Sequence, residues 1–275
     1  MPLFCQAVVY FLVALPAVAQ SQAFAKITIR PANSADARDM RMQVLPDGDL
    51  VAKAVPVTVL LSYAYGVPVN PSSRLSALPE WTIRERFDIE AKAPANAITS
   101  SLQNSDSRSG VQKQMIRRLL ADRFGLKMQV ENKSMSVYAL TVASGGAKLQ
   151  KSALTDKDCA FDTGPEGCHN FIPGFGHPLN AKAIDMDDLS HYLANWTDLP
   201  VVNHTSLNGL FAINTEGWLP MQLPPPPPNA SPDANQFARL PTIFAVLGKL
   251  GLELNRQEDT LPVYTVERIH RPTTN

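Results

Sequence analysis

The chain has 275 residues, with 25 Lys+Arg against 25 Asp+Glu, 45% hydrophobic residues and 18% charged ones. Zero net charge removes the general attraction that nucleic-acid and anionic-membrane binders use, and the densest basic stretches, Arg84 to Arg86 and Arg117 to Arg123, are interrupted by Glu85 and Asp122. The same balance excludes wholesale disorder, while 23 Pro against 14 Gly predict long structured loops.

Leu3 to Ala19 is an uncharged apolar run ending Pro16-Ala17-Val18-Ala19-Gln20, with small residues where a signal peptidase cuts. Residues 1–19 are read as a signal peptide, which places the mature protein in the periplasm or outside the cell. The run is too short and poorly flanked for stable membrane insertion; a retained N-terminal anchor is the alternative. Cys5 belongs to the discarded segment.

The first half, residues 24–142, reads as strand, helix, strand, helix and hairpin. Pro56 suits the first turn of a helix and Gly66 closes that helix as a left-handed cap. The second helix is predicted over about Val111 to Phe124, with Met115, Leu119, Leu120 and Phe124 on one stripe and Arg117, Arg118 and Asp122 around the rest. Gly125 stops it. Leu126 to Glu131 then alternates with period two, Asn132-Lys133-Ser134 is read as a turn, and Val137 to Val142 returns as a strand.

Residues 143–178 read as a linker holding Cys159 and Cys168. In an exported chain this pair predicts a local disulfide. A metal site from Cys159, Cys168 and His169 would need a fourth ligand and lacks C-x-x-C spacing, so no metal and no cofactor are assigned. The second half, residues 179–275, starts a helix after Asp185, a predicted N-cap with Asp188 three positions on. It carries a Pro-rich loop, residues 218–239, in which Pro224 to Pro228 favour an extended polyproline rod.

The two halves repeat one order of elements. Ala52-Lys53-Ala54-Val55 recurs as Ala181-Lys182-Ala183-Ile184, with Leu60 and Tyr63 matched by Leu189 and Tyr192. Phe87-Asp88-Ile89 recurs as Phe211-Ala212-Ile213, Gly125-Leu126-Lys127-Met128 as Gly251-Leu252-Glu253-Leu254, and Val137-Tyr138 as Val263-Tyr264. The expected fold is α+β: two tandem related strand-helix-strand-helix-hairpin repeats, helices packed on mainly antiparallel sheets.

Several stretches carry a resemblance that covers nearly all of the mature chain. They are Phe24 to Asn33, Glu85 to Pro94, Leu119 to Lys127, Leu199 to Asn203, Leu207 to Phe211 and Val266 to Pro272. On these the chain resembles an uncharacterised family of secreted proteins known mainly from Acidobacteria and other soil bacteria. Ala77-Leu78 stands where that family favours glycine, and Asn203 where it favours aspartate. The resemblance implies an exported domain of unknown function, with a binding or interaction role by analogy to the short domains that precede secretins and TonB-dependent channels.

The histidines, His169, His177, His191, His204 and His270, form no H-E-x-x-H pattern, and no G-x-S-x-G, P-loop or dinucleotide signature is present. His191 beside Ser190, Asp187 and Asp188 reads as a solvated helix face, because triad members converge from different elements. His204 reads as a turn residue, His177 as linker, and Asp88 with Glu90 as an exposed strand face. Tyr63, Tyr65, Trp81, Tyr192 and Trp196 are candidate ligand-stacking residues, weighed against simple core packing. The reading is an exported non-catalytic module of the cell envelope that binds an envelope protein or a small extracellular ligand in a groove between the halves, with no nucleic-acid role. Its alternative is a metal-dependent or other hydrolase using His191 and His204.

Overall fold

The computed structural model describes residues 23–33, 40–45, 47–68, 72–95, 97, 105–159, 167–221 and 239–273. The apolar run of residues 1–19 and the prolines from Pro224 to Pro228 lie outside them. The architecture is mixed α+β, and the described residues form three sheets, two large hydrophobic cores and a small cluster of Cys168, Ala183 and Leu210.

The first core lies under a four-stranded antiparallel sheet formed by β1 (Lys26–Pro31), β2 (Arg41–Val44), β3 (Leu50–Pro56) and β5 (Arg86–Lys92), in the order β1-β5-β3-β2. Alternation sets its face: in β5, Phe87, Ile89 and Ala91 are buried while their neighbours are not. Two helices cover it, α1 (Val57–Tyr65) and α3 (Ser105–Phe124). Met115, Ile116, Leu119, Leu120 and Phe124 of α3 are almost wholly buried, each such side chain contributing roughly 1.5–3 kcal/mol. The helix starts at Ser105, earlier than about Val111, because Ser105 to Gly110 holds no apolar residue from which a period could be read. Gly125, at φ +60°, ends it in the left-handed region, as the sequence predicts.

Asp88 has a structural duty. Its carboxylate accepts the N–H of Ala54 at 2.8 Å, and Arg86 donates to the Ala54 carbonyl at 2.9 Å. Together they hold Ala54 at φ 50°, where β3 slips register against β5 between Ala52 and Val55. Val55 lies opposite Phe87, and Ala52 opposite Ile89.

The second core lies under a smaller antiparallel sheet, β7-β10-β8. Its strands are β7 (Gln150–Lys151), β8 (Ala181–Ile184) and β10 (Phe211–Ile213), with Ile184 opposite Phe211 and Ala181 opposite Ile213. Helices α5 (Met186–Ala194) and α6 (Ile243–Lys249) contribute buried side chains to this core. Strand β7 falls within residues 143–178, so that segment adds an edge strand to the second sheet as well as joining the halves. The short helix α4 (Asp156–Cys159) ends at one cysteine of the expected disulfide, Cys159–Cys168, which is present. Trp218, fully buried in this core, keeps its indole N–H without a hydrogen-bond partner among the described residues.

The predicted hairpins are not formed. Lys127–Val142 is one continuous strand, β6, and Leu252–Arg268 is another, β11. They pair antiparallel along their length, with Asn132 opposite Pro262, Lys133 opposite Leu261 and Ser134 opposite Thr260. A tight hairpin turn requires residues at positive φ, usually glycine. Asn132-Lys133-Ser134 offers no glycine and adopts no positive φ. Each strand satisfies its backbone on its counterpart from the other half. Short parallel strands flank this ribbon: β4 (Leu75–Ser76) beside Tyr264 and Thr265, and β9 (Val201–Asn203) beside Tyr138, Ala139 and Leu140. The last short helix, α2 (Trp81–Arg84), leads into β5.

The ribbon ties the cores together. Val266, late in β11, packs into the first core with Leu126; Leu140, late in β6, packs into the second with Leu252 and Leu254.

Candidate functional site

Helices α1 and α5 form for different local reasons. Helix α1 is apolar, has no side-chain cap after Pro56, and ends at Gly66 (φ 62°), whose N–H returns to the Ser62 carbonyl. Helix α5 has a full capping box. The Asp185 carboxylate accepts the Asp188 N–H at 2.8 Å, and the Asp188 carboxylate accepts the Asp185 N–H at 3.0 Å.

Between these helices lies a cleft of about 310 Å³. Tyr65, Gly66, Pro68 and Arg74 line it from the segment running from α1 to β4, and Lys113 and Arg117 from α3. Asp187, Ser190, His191 and Ala194 line it from α5, Pro200 to Asn203 from β9 and the residue before it, and Leu261 from β11. Both halves of the chain therefore wall it. Gly66 is required where it stands: a Cβ there would lie 2.9 Å from His191 Nε2, and its φ is in the left-handed region.

The two arginines are held by backbone. Arg74 Nε donates to the Pro262 carbonyl at 3.1 Å and its Nη1 to the Gly66 carbonyl at 3.2 Å. Arg117 Nε donates to the Ala64 carbonyl at 2.7 Å, with the guanidinium 4.8 Å above the Tyr65 ring. Desolvation by its surroundings lowers the His191 pKa, Lys113 and Arg74 add to that, and Asp188 and Asp187 oppose it. The Ser190 hydroxyl donates to the Met186 carbonyl at 2.9 Å, and Asp187 accepts from Asn203 at 2.8 Å.

Of the five aromatic candidates, Tyr65 alone is among the residues lining this cleft. Tyr63 donates to Gln112 at 3.3 Å, and burial together with the nearby Asp188 charge pushes its pKa up to about 12. Trp81 packs edge-on to Phe87 beneath Arg271. Tyr192 stacks on Phe171 at 4.0 Å, burial raising its pKa to about 12, and Trp196 lies against the His177 ring at 3.7 Å. Each of these is engaged by other side chains and lies outside the cleft lining. His204 follows β9 and contacts Asp259 at 3.2 Å and Gln257 at 3.3 Å.

A second polar cluster lies at the start of α5. His169 Nδ1 is 2.6 Å from Asp188 and 4.0 Å from Asp185, and potential ligand atoms of the three lie within 4.8 Å of one another. Burial, reinforced by the Asp188 charge, pushes the Asp185 pKa up to about 6. Both carboxylates already serve the capping box. The neighbouring Cys168 sulfur is bonded to Cys159, so the three-residue metal set Cys159, Cys168 and His169 is closed by the disulfide.

Sequence reading missed Arg74, Lys113 and Arg117 as a group. One signal was available: Lys113 and Arg117 are four apart on a helix and share a face. Arg74, far away in sequence, had none.

Fold and site together define a mixed α+β protein with a cationic cleft where two cores meet. The chain belongs to the family described as a protein of unknown function (DUF3738), whose model matches residues 58–269. Neither a curated protein nor a solved structure matches it. Among the described residues, no helix is long and apolar enough to cross a membrane.

Proposed function

We propose that the protein is an exported, non-catalytic binding module of the cell envelope, made of two copies of one ancestral unit, that takes a small extracellular ligand in the cleft between them. The observation that carries this reading is the cleft itself, walled by both halves, with its two arginines held by backbone carbonyls. Fixed donors reduce the ordering cost of binding.

Duplication is supported by register. The sequence aligns Val55 with Ile184, Phe87 with Phe211 and Ile89 with Ile213, and these are the residues paired in equivalent ways in the two sheets. Tyr138 and Tyr264, also aligned, receive equivalent flanking strands: the Tyr138 N–H donates to the Pro200 carbonyl and the Tyr264 N–H to the Arg74 carbonyl, each at 2.8 Å. Export is supported by the disulfide, since such bonds persist in oxidising compartments.

A non-catalytic role is favoured because the Ser190 hydroxyl hydrogen points to its own helix and not to His191. The test is a thermal-shift screen of mature protein against sugars, peptides and organic acids, repeated on Ala194→Trp, which fills the cleft from α5. At least one ligand is expected to stabilise the native protein and lose its effect in Ala194→Trp. Hits that all survive the substitution, or turnover of an ester or amide substrate, would overturn the reading.

A further inference from the structure

Three permanent cations meet in the cleft against one carboxylate among its lining residues, Asp187, which already accepts from Asn203. Their origin explains why the neutral composition hides them. Arg74 precedes β4, and Lys113 and Arg117 lie one turn apart on α3. Grouping like charges costs folding free energy unless something outside the chain offsets it.

The guanidinium groups are oriented before any ligand arrives. Arg117 is fixed through Nε on the Ala64 carbonyl and by its position over Tyr65, which leaves both terminal nitrogens without a hydrogen-bond partner among the described residues. Arg74 is fixed by two backbone carbonyls and keeps its second terminal nitrogen. Lys113 has no hydrogen-bond or ion-pair partner among the described residues. A planar fork with free N–H groups beside an ammonium matches a carboxylate or phosphate. Pro68, Val201 and Leu261 give the lining an apolar part. A cleft of this volume suits a small ligand with a head group and a compact body.

We propose that the cleft binds a small organic oxyanion, its carboxylate or phosphate head held by Arg117 and Lys113 with Arg74 behind them, and its apolar body lying against Pro68, Val201 and Leu261. This rests on the cleft being the binding site, as argued above. His191 then tunes the affinity. Its ring faces Lys113 from α3, Arg74 from the loop before β4, Gly66 at the end of α1, and Asp187 and Asp188 from its own helix. Desolvation first, and then Lys113 and Arg74, disfavour its proton in the free protein. A bound anion opposes the two cations, so binding is coupled to proton uptake at this ring.

The test is calorimetric titration of the mature protein with phenyl phosphate, benzoate, inorganic phosphate and neutral benzamide. Phenyl phosphate or benzoate should saturate one site, with benzamide and inorganic phosphate each about tenfold weaker or worse. Lys113→Met and Arg117→Gln should each weaken the better anion by about tenfold, and Arg118→Gln, on the same helix but paired with Asp122, should leave it unchanged. Should Arg117→Gln fail to fold, Lys113→Met alone decides. Benzamide binding as tightly as benzoate, or Lys113→Met without effect, would overturn the oxyanion assignment while leaving the cleft intact. Inorganic phosphate binding as tightly as phenyl phosphate would overturn the apolar body. Ala194→Trp separates the two levels. Anion binding that survives it lies elsewhere and removes the cleft reading as well.

Discussion

The two halves of the chain reach a packed core by unequal means. In the first, strands of four to seven residues make a four-stranded sheet, and the twenty-residue helix α3 packs its apolar stripe into the core beneath it. In the second, strands of two to four residues make a three-stranded sheet, and helix α6 has only seven residues. The second half compensates with a capping box on α5 and a buried Trp218, and the linker that adds β7 to its sheet carries the disulfide. The contrast teaches that a small sheet is sustained by local staples and by strands borrowed from its neighbour. The β6–β11 ribbon supplies the borrowing.

Leu140→Ala strikes that borrowing directly and should have the largest effect. Leu140 sits on β6, after α3 in the chain, yet is fully buried in the second core. Truncation should cost about 2–5 kcal/mol. Because the ribbon joins both cores, urea unfolding followed by circular dichroism and by tryptophan fluorescence should remain a single coincident transition, shifted to lower denaturant. Two separated transitions, with the first half's midpoint unmoved, would show that the halves stand independently.

Replacing both Cys159 and Cys168 by serine sharpens the comparison from the other side. The bridged residues are nine apart, and opening so short a loop should cost about 2 to 3 kcal/mol. Hydrogen exchange locates the loss. Amides of β7, β8 and β10 should exchange faster, while those of α3 keep their protection. Uniform loss across both halves would mean that the strap stabilises the whole molecule and not the smaller sheet.

Features decided within a few residues were legible in the sequence. Gly66 and Gly125 end helices, Asp185 and Asp188 form the cap, and Cys159 joins Cys168, because each depends on local backbone geometry or a short loop. The hairpins were misread because a strand's alternation does not say which strand it pairs with. Asn132-Lys133-Ser134 has the polar composition of a turn but no glycine, and it stays extended opposite Thr260 to Pro262 from the other half. The cleft was half legible. The sequence suggests a groove between two halves, but Arg117 reads as one more charge on a solvated helix until the Ala64 carbonyl is beside it. His191 changes meaning in the same way, since its neighbours Lys113, Arg74 and Gly66 come from three other segments.

The smallest expected effect, and the one most specific in sign, is Asp185→Asn at the cap of α5. Asparagine is as good an N-cap as aspartate, so the hydrogen bond to the Asp188 N–H is retained. What changes is titration. Burial, and then the Asp188 charge, raise the Asp185 pKa to about 6 from its ordinary 3.8. The folded protein therefore holds this proton between those values while the unfolded chain releases it. That stability is fully present below 3.8 and is lost as pH rises through 6. Asparagine does not titrate, so variant and wild type should have similar Tm near pH 4, with the variant ahead by a few degrees, about 2 to 4 °C, above pH 6. Attraction from His169 works the other way, because it favours the charged Asp185. A variant less stable than wild type at pH 7 would mean that the His169 contact outweighs carboxylate crowding, and that the segment carrying the disulfide is held to α5 by charge as well as by the covalent bond.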